Sequence, residues 1–327
     1  MKVPLSIRRL YDEQREGNTR LKAFVDERLK RLKHDRWHYE SRLKGLESFA
    51  LKVESGRFAA PGALEDFFAC TVVVANGKEI QDAEQLIRDH FTVHMRRPRH
   101  DRATPKEPNA FPFDDLRLYV RVQDDPALPP REFAGILFEI QVKTFLQHAW
   151  GIATHDLIYK TDEANWGKER IAFQIKAMLE HVEVSIQEAE PLAQSQALAK
   201  TNTTTRTLQR IIALLRALWS AEDLPTDVRR LAENIQALAA AVKIDVTRLR
   251  AILERQQQQG KGALTRNLSP YGIVVQSLLS ECPEQLMALL SAADVRTKVV
   301  IPAEIEWPAE LDRRQGRNAL FLGEAAR

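Results

Sequence analysis

The stretch from Phe138 to Lys160, FEIQVKTFLQHAWGIATHDLIYK, changes hydrophobic period halfway along, and that change narrows the folds open to the chain. In its first half Phe138, Ile140 and Val142 alternate with Glu139, Gln141 and Lys143, the period of two expected of a half-buried strand. In its second half Phe145, Leu146, Trp150, Ile152 and Leu157 recur at helical spacing, which predicts a helix packed back on the sheet. The polar face of the strand carries an acid, an amide and a base, a set suited to the floor of a phosphate-binding cleft. A lone carboxylate where a strand feeds a helix is a usual place for an active site in an α/β protein.

At 327 residues the chain is long enough for about two domains. Apolar content of 44% and charged content of 28% are those of a chain that folds. No apolar run approaches the roughly 20 residues that span a bilayer, and MKVPLSIRRLYDEQREG has no signal-peptide core, so the chain is expected in the cytoplasm and off the membrane. Cys70 and Cys282 lie far apart and form neither a disulfide framework nor a zinc motif. The net charge is only +3, but its distribution is uneven: residues 1–60 hold fifteen Lys or Arg against nine acids. A second basic run, Arg96, Arg97, Arg99, Arg102 and Lys106, is interrupted by a single acid, Asp101. Such clusters suit nucleotide phosphates or RNA, and the first also suits solvated helix faces.

Leu10, Phe24, Val25, Leu29 and Leu32 predict helix over residues 5–39, with a break at Gly17 and Asn18. From Ser41 to Arg57 the cations Arg42, Lys44, Lys52 and Arg57 and the hydroxyl of Ser48 accompany an apolar set of leucines. In an extended chain Arg42 and Lys44 point the same way, and in a helix Ser48 and Lys52 share a face. Leu64 to Ala75 is an apolar run fit for a central strand, with Asp66 at its entrance as either a turn residue or, paired with Glu139, a magnesium ligand. A helix over Lys78–His90, a strand over Phe91–Met95, a Pro- and Arg-rich loop over Arg96–Pro112 and a strand over Phe113–Val122 follow. His148 and His155 share a helix face without the spacing of a helical zinc pair; His148, nearer the strand end, is the better placed for a phosphate contact. Beyond Tyr159 the chain is helical with little punctuation, and no repeat or chemical motif stands out.

EIQVKT followed by QHAWGIATHDLIYK resembles the signature of the RelA/SpoT alarmone synthetase family. The likeness extends upstream through SRLKGLESFALKVESGR and LEDFFACTVVV, over roughly Asp35 to Lys160. It implies a nucleotidyltransferase-like α/β (α+β) domain, a mixed central sheet flanked by helices. That domain is expected at residues 35–165, after an N-terminal helical segment (1–34) and before an all-helical C-terminal region (166–327). No hydrolase domain of the kind found in bifunctional relatives is expected.

The activity the resemblance implies is a Mg²⁺-dependent, GTP diphosphokinase-like transfer of the β,γ-pyrophosphate of ATP to a nucleotide 3′-hydroxyl. Arg42, Lys44, Ser48, Lys52 and Arg57 would hold the ATP phosphates, Asp66 and Glu139 the metal, and Glu139 would orient or deprotonate the hydroxyl. Phe113, Arg117, Gln141, Lys106 and His148 would form the acceptor side. Two departures stand out. The family's PKxNGYRSLH pattern becomes a stretch with Pro112 for Gly, Phe113 for Tyr and Arg117 for His, and DxxGxR becomes Asp66 to Thr71 without its Gly or Arg. They leave the acceptor open among GTP or GDP, giving (p)ppGpp as in the stringent response, an adenine nucleotide, and the 3′-CCA end of tRNA as in toxic small synthetases. A degenerate nucleotide- or RNA-binding module with a partner-binding helical region is the alternative. An antitoxin or other regulator, and a homo-oligomer, are the expected protein partners.

Overall fold

The computed structural model describes residues 1–56, 64–100, 107, 115–123, 133, 135–158, 164–260, 267–292, 298–308 and 317–323, with the side chains of 155–158 excepted. Arg57, Lys106 and Phe113 lie outside the described residues. The chain divides into two compact units, residues 1–198 and 199–327. Among the described residues no helix is long and apolar enough to cross a membrane.

The first unit is built on a five-stranded sheet. Its strands are β1 (His38–Leu43), β2 (Phe68–Val74), β3 (Phe91–Arg97), β4 (Leu116–Val122) and β5 (Phe138–Thr144), in spatial order β1-β2-β5-β4-β3. Only the central pair, β2 and β5, is parallel; the other pairings are antiparallel. The alternation in each strand sorts its side chains. Tyr39, Phe68, Cys70, Val72, Val74, Leu116, Leu118, Val120, Phe138, Ile140 and Val142 enter one core with Leu21, Val25 and Leu29 of α1 (Leu5–Leu32) and Ala83 and Ile87 of α3 (Ile80–His90). The opposite face turns toward α4 (Phe145–Ile158) and carries the polar set. A smaller apolar cluster of Phe49, Leu64 and Phe67 fixes α2 (Leu46–Glu54) beside the entrance to β2.

The expected break at Gly17 is absent, and α1 runs unbroken for 28 residues; it ends at Leu32, short of the expected residue 39, because Tyr39 enters the core from strand β1. A side chain at Gly17 would meet Ile136 Cδ1 at 3.4 Å, and buried Asn18 donates its side-chain N–H to the Gln14 carbonyl at 2.9 Å. Both residues thus serve close packing. The helix α5 (Trp166–Gln187) and the short α6 (Ala189–Gln194) also belong to the first unit, where α5 pairs with α4. Its buried Glu183 accepts a 2.6 Å hydrogen bond from the Gly77 amide, and Trp150 donates to the Ala172 carbonyl at 3.0 Å. The helical character that begins after Tyr159 therefore starts inside the sheet-bearing unit, because α5 covers α4 rather than opening a separate core.

The second unit packs α7 (Thr203–Leu218), α8 (Val228–Ala241), α9 (Val246–Gln258), α10 (Pro270–Glu281) and α11 (Pro283–Ser291) around one apolar core. Four of these helices start on a side-chain cap, Asn202, Asp227, Asp245 and Ser269, as the sequence chemistry of helix starts requires. A short parallel pair, β6 (Val299–Ile301) and β7 (Ala319–Phe321), joins this otherwise helical unit.

Candidate active site

The polar sheet face and α4 enclose a cleft of about 560 Å³. Strand register lays out its floor in rows. One row runs Arg42, Ala69, Glu139, Tyr119 across β1, β2, β5 and β4; the next runs Glu40, Thr71, Gln141, Arg117. The cleft is lined by Arg42, Asp66, Arg117, Glu139, Gln141 and His148, so six of the residues singled out in the sequence converge on one space.

Three features hold Glu139 in place. Its side chain is almost fully buried, it accepts a short hydrogen bond from the Gln141 amide, and the Arg117 guanidinium stands 3.9 Å away. On β4 the Tyr119 hydroxyl also hydrogen-bonds to it; burial, followed by the charge of Glu139, pushes the phenol up to about 12. Tyr119 therefore stays a neutral donor, and Arg97 caps its ring at 5.2 Å. Arg117 is drawn between Asp115, at 3.2 Å, and Glu139. Burial disfavours its charge, but the two carboxylates outweigh that and raise its pKa.

Asp66 sits where β2 begins and binds two cations, Lys44 at 2.9 Å and Lys52 at 2.7 Å. Burial works against its ionised form, yet hydrogen bonds from Lys52 and Lys44 more than offset this and hold the carboxyl below its ordinary value. Of the donor-side cations expected, Lys44 and Lys52 are thus gathered around this carboxylate, while Arg42 lines the cleft from β1. Ser48 lies exposed on α2, one turn before Lys52.

Asp66 and Glu139 supply oxygen donors only, the set a hard cation such as Mg²⁺ prefers, and both reach the same cleft. The donor chemistry fits the ion. In the basic run, Arg96 is turned away from this purpose: its guanidinium binds Glu84 through Nε and Nη2 and the Pro98 carbonyl through Nη1.

The geometry adds Glu40, Asp115, Lys143, Gln147 and Trp150 to the lining residues, which the motif comparison passed over. Lys143 belongs to the polar strand face already read as a cleft floor, and Glu40 is two positions before Arg42, so the same period of two was the signal that would have found it. The first turn of α4 is fixed by a reciprocal cap. The Thr144 hydroxyl accepts from the Gln147 amide at 3.2 Å, while the Gln147 side chain accepts from the Thr144 amide at 2.9 Å. This cap aims His148 at the cleft. Burial lowers the His148 pKa despite the nearby Glu40 carboxylate, which leaves a neutral imidazole at neutral pH.

The model of a family described as "Region found in RelA / SpoT proteins" matches residues 41–164. No curated protein matches the chain. Among solved structures the chain is similar to small alarmone synthetase 1 from Bacillus subtilis, with 15% identity, 54% of this chain and 94% of that chain covered, and a TM-score of 0.43. It is similar to the same synthetase bound to its product pppGpp, with 16% identity, 55% and 96% covered, and a TM-score of 0.43. A GTP pyrophosphokinase family protein from Streptococcus pneumoniae is similar at 19% identity, 61% and 100% covered, with a TM-score of 0.40.

Proposed function

Residues 41–164 are a RelA/SpoT-type domain, and from that premise we propose that the chain is a pyrophosphokinase, transferring the β,γ-pyrophosphate of ATP to the 3′-hydroxyl of a nucleotide. The observation that carries the reading is the convergence in one cleft of Glu139 with Asp66, whose carboxyl two lysines keep ionised. A polyphosphate substrate needs both charges: cations to bind it and carboxylates to hold its counter-ion.

In this reading Arg42, Lys44 and Lys52 bind the ATP phosphates, with Arg42 offering a forked contact. Asp66 and Glu139 would hold Mg²⁺, which when bound neutralises phosphate charge. Glu139 orients the acceptor hydroxyl and takes its proton as the 3′-oxygen bonds to the β-phosphorus. The bond between that phosphorus and the oxygen bridging it to the α-phosphorus breaks, and AMP leaves. The Gln141 and Arg117 side chains steady Glu139 for this step. Arg117, Gln141 and His148 face the acceptor side.

The acceptor is the finer part of the proposal. GTP or GDP, an adenine nucleotide and the tRNA 3′ end all present a 3′-hydroxyl. Thr71 stands where the family motif has its arginine, and Arg117, two strands away in the same row, is the cation that compensates. Incubation with γ-labelled ATP, Mg²⁺ and each acceptor in turn, resolved by thin-layer chromatography, tests the reading. Label should appear on one acceptor and should be lost in Asp66→Asn and Glu139→Gln. If those variants kept wild-type transfer, the assignment would fail; ATP binding without transfer to any acceptor would favour a binding module instead. An RNA acceptor would show itself by a steep loss of affinity with salt.

A further inference from the structure

The exposed face of β1 does not end at Arg42. Its alternation also presents His38 and Glu40, and α4 brings His148 against both. One ligand atom from each of the three side chains lies within 4.8 Å of the others. His148 Nδ1 stands 3.9 Å from Glu40 Oε1, and the two imidazole centroids are 5.8 Å apart at 42°. The rings are therefore tilted and converging on the carboxylate rather than stacked face to face.

We propose that His38, Glu40 and His148 bind a divalent transition-metal ion, with zinc as the reference case, at the rim of the cleft. Two imidazole nitrogens and one carboxylate oxygen are a donor set for such ions, whereas the oxygen-only pair of Asp66 and Glu139 suits a harder cation. Metal–ligand distances of about 2.0–2.2 Å put ligand atoms roughly 3.3 Å apart in a tetrahedral shell. The side chains need only close from within 4.8 Å, and His38 and Glu40 are exposed and free of the core.

Three protein ligands leave a fourth position open. Glu40 and His148 line the cleft, so that position faces whatever the cleft holds and takes a water or a phosphate oxygen. The ion would add positive charge beside Arg42 and Lys143 at the cleft mouth. The site shares His148 with the acceptor side but uses neither Asp66 nor Glu139, so metal binding can be measured separately from the reaction proposed above.

The test uses tag-free, full-length protein stripped with a chelator. Co²⁺ titration followed by visible absorption reports the coordination shell, and Zn²⁺ titration against a competing chelator gives affinity. One equivalent should bind, with intense tetrahedral Co²⁺ bands. His38→Ala and His148→Ala should each weaken binding at least about tenfold, Glu40→Gln should change the Co²⁺ spectrum, and His94→Ala, on β3, should do neither. Far-UV circular dichroism checks that each variant is folded. Sub-stoichiometric binding by the wild type, equal affinity across the histidine variants, or loss of binding only in Asp66→Asn would each overturn the proposal.

Discussion

Ala69 and Glu139 are partners in the parallel register of β2 and β5, with Arg42 opposite Ala69 on the other side. A methyl group is all that stands on the cleft floor between the carboxylate and the guanidinium. Ala69→Leu should fill this gap and push the phosphate chain out of line, lowering transfer on the order of a hundredfold. Ala69→Gly should keep nucleotide binding. Comparing ATP affinity by calorimetry in the two variants separates filled space from general damage to the strand.

The Asp66 carboxyl is held below its ordinary value of 3.8. A depressed folded-state pKa means that its stabilisation is complete above that ordinary value and is lost as pH falls through the folded pKa. The gap in Tm between the wild type and Asp66→Asn should therefore be widest near neutral pH and should close under acid conditions. Each pair is partly exposed, so its contribution should be no more than about 1 kcal/mol. A gap that widened on acidification would contradict the assigned pairing.

Thr144→Ala removes one half of the reciprocal cap at the start of α4. The expected cost is about 1 kcal/mol in urea unfolding. Because the same turn aims His148 and Trp150 into the cleft, transfer should fall by more than the stability loss explains. Thr144→Ser should restore both quantities.

Phe138 is fully buried, 5.2 Å from Phe68 and 5.7 Å from Phe91 by ring centroid. Phe138→Ala should destabilise the sheet-bearing unit by about 3–5 kcal/mol. Phe138→Leu should cost clearly less. Denaturant unfolding monitored by tryptophan fluorescence provides the comparison.

The strand-to-helix switch at Thr144 was legible from the strict alternation over Phe138–Lys143 and the change of spacing after it, whereas the cap made by Thr144 and Gln147 was not read. Asp66, Glu139, Arg42 and the two lysines were legible as motif positions. That Lys44 and Lys52 close on Asp66 was not, since it depends on α2 folding beside β2 through Phe49 and Phe67. The unbroken path of α1 was misread at Gly17, where local propensity yields to the nearby Ile136. Similarly, α5 looked like the start of a second domain because its sequence is helical, whereas its packing partner α4 belongs to the first unit. His38 and Glu40 escaped notice because period-two reasoning began at Arg42, although the same edge strand β1 starts four residues earlier at His38.

The parallel pairing of β2 with β5 has a consequence for synthesis. Residue 69 cannot meet residue 139 until the intervening chain has been made, and strand pairings this distant in sequence form slowly. Glu139 and the cap at Thr144 arrive last among the floor elements. A nascent chain accordingly lacks Glu139 and the cap at Thr144 until its fifth strand has been made, and the floor of the cleft is complete only once that strand has inserted between β2 and β4.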